Sequence, residues 1–264
     1  MILDDATDDH DRAVGLARHG VLPSARNVAG MFAEPRSAYV IYGIEPGLDF
    51  ADTPAASRAL ASAKVLAFSH FACKSTRDVA DVILPIGLLP EIDATLTNLD
   101  GKDQYAQAAG KLPGEAREGW KVLRALGGEL QLAGFEFTDA AGMREAISNT
   151  KPVAIATSAG PAVNGQGLEL AVSAAIYRTD GTVRRAEALQ AHPLNVGARI
   201  VLNPADAQAA GVADGQMAKV GNGIGTAALP VVVDARVAAG AAWIESGYGA
   251  TAPLGAGRVT VVSA

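Results

Sequence analysis

From Ser37 the chain reads A-Y-V-I-Y-G-I-E-P-G, a short apolar run rich in Val, Ile and Tyr that stops at a Gly/Pro turn. That pattern predicts a buried strand. The runs K-V-L-A-F-S-H-F-A (64–72) and D-V-I-L-P-I (81–86) repeat it. Between them, P-A-A-S-R-A-L-A-S-A (54–63) is made of helix formers and starts with Pro, whose missing N–H costs nothing in a first turn. S-T-R-D-V-A (75–80) predicts one more helical turn. Strand, helix, strand, helix, strand at this pitch implies a parallel, Rossmann-like sheet with covering helices. Residues 90–106 then alternate and turn at Asp100–Gly101, as extended chain with a tight turn does. In G-E-A-R-E-G-W-K-V-L-R-A-L-G-G-E-L (114–130), Trp120, Leu123 and Leu130 fall on one helical face and Glu118–Lys121 makes an exposed pair. Gly127 and Gly128 weaken the last turn. A second short helix is expected over 139–147.

Residues 149–167 carry the densest Pro/Gly/Ser/Asn mixture of the middle of the chain, and a linker is placed there. After it the text turns to β. L-E-L-A-V-S-A-A-I-Y, I-V-L, Q-M-A-K-V, T-A-A-L-P-V-V-V-D, A-A-W-I-E-S and G-R-V-T-V-V-S are strand-like, and T-V-R-R-A-E-A-L-Q is a helix or turn. Asn203 is a good N-cap for a short helix, with Pro204 at its first position, Asp206 in its first turn and Gly211 just past its end. Asp214–Gly215 makes the following turn, and Pro230 predicts an edge or bulge. The fold class is therefore α/β. It comprises an irregular segment over 1–36, an α/β domain over 37–148, a linker over 149–167, and a mostly β, double-psi-like barrel with one short helix over 168–264.

Composition narrows the function. Hydrophobic residues make up 49% of the 264 and charged residues 19%, enough apolar material for a packed core and unlike a disordered chain. The formal charge of −6 argues against nucleic-acid binding, which needs surplus cations to neutralise phosphates. One cysteine excludes a disulfide framework, and also an iron–sulfur or zinc site built from this chain's own thiolates. No apolar stretch approaches the length of a bilayer span, since Asp234 and Arg236 interrupt the most apolar one. The acidic start M-I-L-D-D-A-T-D-D-H-D lacks the features of a signal peptide. An intracellular, soluble chain is expected, one that can still dock on something larger, and the start suggests that more polypeptide precedes it.

Few residues point to chemistry. The loop Gly43-Ile44-Glu45-Pro46-Gly47 ends the first strand, where open α/β sheets bind ligands, yet Glu45 puts a carboxylate where a phosphate wants a donor. His70 and Cys73 have an H-x-x-C spacing that supplies two metal ligands or a thiol with a base, but a buried, inert thiol is the commoner outcome. Glu91 with Asp93, and Glu115 with Glu118, are carboxylate pairs in polar text, where solvation leaves no difference in acidity to exploit. Arg184–Arg185 suits an anion or the acidic face of a partner. No catalytic constellation emerges.

Three stretches resemble the molybdopterin oxidoreductase superfamily. S-T-R-D-V-A-D-V-I-L-P-I-G-L-L-P-E-I-D-A-T-L-T-N-L-D-G-K-D-Q (75–104) is similar to its T-x-x-x-A-D-V-x-L-P…E-x-x-G-T-x-x-N-x-E-G-R run, and L-P-G-E-A-R-E-G-W-K-V-L-R-A-L to the helix that follows it. V-L-N-P-A-D-A-Q-A-A-G-V-A-D-G-Q-M-A-K-V (201–220) is similar to the N-P-x-D-A-x-x-x-G-x-x-D-G-x-x-V signature of its C-terminal dinucleotide-binding barrel. I-Y-R-T-D-G-T-V-R-R-A-E-A-L-Q (176–190) resembles one branch, the large iron–sulfur (75 kDa-type) subunits of bacterial NADH–quinone oxidoreductase, respiratory complex I.

The resemblance implies a scaffold role for a C-terminal region, with no cofactor in this chain and iron–sulfur clusters in an N-terminal part of a longer subunit. It also implies other peripheral-arm subunits as partners, on the cytoplasmic side of the inner membrane. A degenerate pterin-type pocket would involve Gly43, Glu45, Pro46, Thr76, Asn98 and Gly101. Where pterin-binding relatives have G-x-N-P, this chain has Glu45 for the amide; Ala94 replaces a Gly and Lys102 an Arg. Such changes remove donors and bidentate anion contacts. The alternatives are the C-terminal part of a catalytic molybdenum or tungsten bis-pterin oxidoreductase, and a free-standing small-molecule-binding protein.

Overall fold

The computed structural model describes residues 28–98, 102–148, 166–255 and 257–264. Most of the segment 1–36, nearly all of the expected linker and the Asp100–Gly101 turn lie outside them. Within 1–36 the structure departs from the irregular chain that the sequence predicts, because Val28–Ala33 form a helix, α1. Six residues are too few to show a period, but packing holds them. Val28, Met31 and Phe32 lie against the first core, Phe32 meets Phe50 edge-on at 5.2 Å, and the Tyr39 hydroxyl donates to the Met31 carbonyl at 2.9 Å.

The three predicted strands form a parallel sheet in the order β1 (Ala38–Tyr42), β2 (Lys64–Ser69), β3 (Val82–Pro85). Helix α2 (Thr53–Ala61) connects the first two. The Asp52 carboxylate accepts the Ala55 N–H at 2.9 Å, and Pro54 opens the first turn. Its buried face is Ala56, Ala59 and Leu60, and these small side chains let the helix lie close on Tyr39, Ile41, Val65 and Ala67. Helix α3 (Lys74–Val79) follows β2. The alternating run forms an antiparallel hairpin, β4 (Ala94–Thr97) with β5 (Asp103–Ala106).

Helix α4 (Gly119–Glu129) is present, but it does not bury the face expected of it. Leu123 and Leu130 are exposed, whereas Gly119 and Gly127 are buried. A Cβ on Gly119 would stand 1.7 Å from the Tyr42 hydroxyl, and one on Gly127 would stand 2.3 Å from the Phe135 ring. The helix packs on its glycines, which a count of apolar positions does not register. Glu118 and Lys121 pair at 3.0 Å as expected. Helix α5 (Ala140–Ser148) closes this part.

The second unit is a closed six-strand barrel of β6 (Leu168–Ala174), β7 (Ile200–Leu202), β8 (Met217–Gly221), β9 (Thr226–Val233), β10 (Ala241–Ser246) and β11 (Arg258–Ser263), in the order β10-β6-β11-β8-β9-β7. Two pairings, β6 with β10 and β7 with β9, are parallel and the other four antiparallel. Its core is aliphatic, around Ile200, Leu202, Val220, Leu229 and Val259. The remaining elements are α6 (Glu187–Gln190) and α7 (Pro204–Ala209). Asn203 caps α7 through Ala205 N–H at 3.0 Å, and Gly211 takes φ +66° just beyond it, as the sequence predicts. Pro230 is not at an edge, since closure removes edges, but it adjoins a bulge, where Gly215 (φ +76°) and Gln216 both bond to Val231. It lies opposite Met217 of β8, one residue before the pairing with β7 begins at Ile200–Val231, where its missing N–H leaves no gap in that ladder.

Candidate functional site

Strand β1 ends at Gly43, whose φ of +68° favours glycine and whose absent Cβ leaves room for the His70 imidazole. The Gly43 N–H donates to the Phe68 carbonyl at 2.8 Å. The chain then curls on itself. Glu45 N–H donates to the Asp49 carboxylate at 2.7 Å, and the Leu48 and Asp49 N–H groups donate to the Glu45 carbonyl. This loop walls a cleft of about 220 Å³ at the carboxyl ends of β1 and β2, shared with His70, Phe71, Leu89 and, from the barrel side, Asp180 and Gly181.

Below the cleft the barrel unit reaches across. The Asp180 carboxylate accepts the Thr182 and Val183 N–H groups, both at 2.7 Å, and so starts the 3-10 turn Val183–Arg185. That turn aims two guanidiniums at the loop. Arg184 Nε donates to Glu45 Oε2 at 3.0 Å, Nη2 donates to Asp49 Oδ1 at 2.8 Å, and Nη1 donates to the Arg178 carbonyl at 3.0 Å. Arg185 Nη1 lies 2.6 Å from Glu45 Oε1, as an ion pair without hydrogen-bond alignment, and its guanidinium stacks 4.0 Å over the Phe71 ring. The Arg184 side chain is only 4% exposed and that of Glu45 9%. Two carboxylates thus face two guanidiniums; Glu45, Asp49 and Arg184 are largely out of water, where each charge needs its partner, while Arg185 reaches in from a more exposed position. Burial still holds the Asp49 carboxyl above the usual range, against the pull of the Glu45 N–H and of Arg184.

The sequence candidates separate cleanly. Gly43 and Glu45 line the cleft; Pro46 is buried beside it and does not. Thr76 is fully buried on α3, its hydroxyl 3.2 Å from the Cys73 sulfur, and Asn98 sits exposed on the hairpin, accepting the Lys102 N–H at 2.9 Å. Gly101 lies outside the described residues. His70 and Cys73 do not act together. His70 faces Gly43, whereas Cys73 precedes α3 with its sulfur against Ser75 and Thr76. Burial pushes that thiol up, but the two hydroxyls and the Thr76 N–H outweigh it and leave it below its ordinary value.

The carboxylate pairs are structural. Glu91 accepts the Leu88 N–H at 2.8 Å; Asp93 accepts the Ala108 N–H and the Tyr105 hydroxyl, both at 2.9 Å, which lowers its pKa. Glu118 holds Lys121, and Glu115 makes a loose surface pair with Arg117 at 3.7 Å. Sequence reasoning does not find Asp49, Phe71 or Asp180. It singles out Glu45 and Arg184–Arg185 for opposite charges but has no means of joining residues 139 apart.

Residues 15–129 match the family model for molybdopterin oxidoreductase, and residues 174–262 match that for the molydopterin dinucleotide binding domain. The chain thus carries a molybdopterin oxidoreductase region followed by a molydopterin dinucleotide binding region. The NADH-ubiquinone oxidoreductase 75 kDa subunit of Reclinomonas americana is 47% identical over 49 residues, which are 19% of this chain and 7% of that protein. The mitochondrial 78 kDa subunit of Neurospora crassa is 35% identical over 74 residues, 28% of this chain and 10% of that one. These matches bear out the resemblance to the large complex I subunit, and they cover only a small part of each relative. The F420-dependent formate dehydrogenase subunit alpha of Methanocaldococcus jannaschii is 32% identical over 90 residues, 34% of this chain and 13% of that one. Among solved structures, acetylene hydratase from Pelobacter acetylenicus shares the fold. Its TM-score is 0.58 at 15% identity, over 88% of this chain and 42% of that one.

The fold is thus one that holds a pterin dinucleotide, but the groups at this cleft do not suit a diphosphate. The loop N–H groups of Gly43 and Glu45 are spent on Phe68 and Asp49, Glu45 and Asp180 line the space with carboxylates, and Arg184 and Arg185 are both engaged by Glu45. At about 220 Å³ the cleft is also smaller than the roughly 300–1,000 Å³ of ordinary ligand pockets.

Proposed function

We propose that this chain is the C-terminal scaffold portion of the large iron–sulfur subunit of NADH–quinone oxidoreductase. It supports electron transfer from NADH to quinone in the peripheral arm and has no catalytic site of its own. One observation carries the reading: the position at which pterin-binding relatives place an amide is Glu45, and the barrel unit fills and neutralises it with Arg184 and Arg185. What serves elsewhere as a cofactor mouth is here a clasp between the two units. On this reading Gly43, Glu45, Pro46, Thr76, Asn98 and Gly101 bind no cofactor, and the iron–sulfur clusters belong to other parts of the subunit. The partners are peripheral-arm subunits on the cytoplasmic side of the inner membrane. Among the described residues no helix is long and apolar enough to cross a membrane.

The formate dehydrogenase match supports a second reading, the C-terminal part of a catalytic molybdenum or tungsten enzyme. Affinity purification of the protein from solubilised source membranes, with NADH:quinone activity and molybdenum, tungsten and pterin content measured on one preparation, separates the two. Activity with only trace metal and pterin is expected. Stoichiometric molybdenum or tungsten with pterin would overturn the scaffold reading.

A further inference from the structure

The chain has two Asn-Gly pairs, 164–165 and 222–223, and the second lies among the described residues. Asn222 and Gly223 stand at the tip of the barrel hairpin that joins β8 to β9. Its last strand pair is Gly221 with Thr226, the Asn222 N–H donates to the Gly225 carbonyl at 3.2 Å, and Gly223 takes φ +80°. A glycine suits that turn, and no atom lies within 4 Å of where its Cβ would stand. Gly223 is exposed, and among the described residues its N–H donates to no acceptor.

The Asn222 carboxamide is held unevenly. Its Oδ1 accepts the Ile224 N–H at 3.0 Å and the Gly225 N–H at 2.9 Å, so the side chain folds forward over Gly223. Its Nδ2 is buried and has no hydrogen-bond partner among the described residues. A buried N–H left over is a cost of the folded state. Two N–H groups aimed at one carbonyl oxygen are the arrangement that stabilises negative charge developing there. The main-chain nitrogen that follows, Gly223, has no side chain to hinder its approach to Cγ.

We propose that Asn222 is a self-modification site, whose hairpin promotes cyclisation to a succinimide that water opens to aspartate or isoaspartate. The Gly223 nitrogen attacks Cγ of Asn222, forming the N–Cγ bond. Negative charge develops on Oδ1, against the Ile224 and Gly225 N–H groups. The Cγ–Nδ2 bond then breaks, and Nδ2 leaves as ammonia with the proton that Gly223 gives up. Water, the sole co-reactant, adds to one of the two ring carbonyls. Opening at one gives an aspartate, whose carboxylate accepts the same two N–H groups and strands no N–H of its own. Opening at the other gives isoaspartate, which lengthens the backbone between β8 and β9 by one methylene.

Mass-spectrometric peptide mapping of the chain, incubated at neutral pH in water labelled in its oxygen, reads the conversion as heavy oxygen at residue 222. Asn222 should convert faster in the folded chain than in the same chain unfolded in guanidinium chloride, where both Asn-Gly pairs report the rate of a free one. Ile224→Pro removes one of the two donors, at an exposed position whose φ is not left-handed. It should leave the melting temperature unchanged and slow the conversion by at least about tenfold. Ile224→Ala keeps the N–H and should convert at the native rate. Slower conversion in the folded chain than in the unfolded one overturns the assignment, because the turn then protects the amide. An undiminished rate in folded Ile224→Pro overturns it too, because the two N–H groups then do not activate Cγ. If that variant melts lower, the folded-against-unfolded comparison of the native chain decides alone.

Discussion

Arg184 donates to three oxygens on two parts of the chain, which leaves its guanidinium little freedom to serve any other partner. Arg184→Met should cost about 3–5 kcal/mol in urea titration, because Glu45 is then left buried beside a single cation. Glu45→Met with Arg184→Met should cost less than the two single changes added together, with a coupling of about 1–3 kcal/mol, since the double variant no longer strands that charge. A coupling near zero would mean that the clasp contributes no net attraction. Asp49 adds a pH signature of unusual sign. Its folded-state pKa lies above 3.8, so the folded chain takes up this proton first, and the Asp49 contribution falls as pH rises from 3.8 through the folded value. Asp49→Asn should remove that decline, as melting temperatures measured across the acid range would show.

Among the elements, the sheet depends on contacts that allow no added atom. Gly119→Ala should destabilise the first unit by about 1–3 kcal/mol, because its methyl collides with the Tyr42 ring. Tyr42→Phe should rescue part of that loss by removing the hydroxyl 1.7 Å away, although ring carbons at 2.7 and 3.0 Å remain. Thermal melts of the two single variants and the double would decide. Asp81 joins β2 to β3, accepting Val65 N–H at 2.8 Å and Lys64 Nζ at 2.9 Å, and these bonds lower its pKa. Its contribution is present above the unfolded value of 3.8 and is lost as pH falls through the lower folded one. Asp81→Asn should therefore flatten the acid limb of the stability profile, opposite in sense to Asp49→Asn.

Much at this scale is legible in the sequence. The strands of the sheet and barrel announce themselves as apolar runs bounded by turns, and Asn203, Pro204 and Gly211 mark α7 because cap chemistry is local. What escapes is non-local. The buried face of α4 is made of glycines chosen by Tyr42 and Phe135, α1 is held by Phe50 and Tyr39, and the partners of Glu45 lie in the other unit. A sequence records that Glu45 suits no phosphate, but the structure is needed to learn which cations it suits.

At the scale of the whole molecule, the described residues form two hydrophobic cores, one under the parallel sheet and one inside the barrel, with the Glu45–Asp49–Arg184–Arg185 cluster between them. Calorimetry of the native chain should show a single transition if that cluster couples the cores, and Arg184→Met should split it into two. A transition already split in the native chain would show that each core melts by itself. The charge pattern makes the end of β1 an internal joint, with Glu45 and Asp49 of the loop held by Arg184 and Arg185 of the barrel unit.

The separation of 135–139 residues between the two sides of that joint has a temporal consequence. Contacts between such distant positions form late, after each core has largely collapsed around its own neighbours. Weakening the joint should then leave the refolding rate almost unchanged and speed unfolding. Stopped-flow traces of Arg184→Met should show the whole loss on the unfolding limb. Glu45 and Arg184 would thus act as a latch closed last, whose worth is measured in how long the finished protein stays shut.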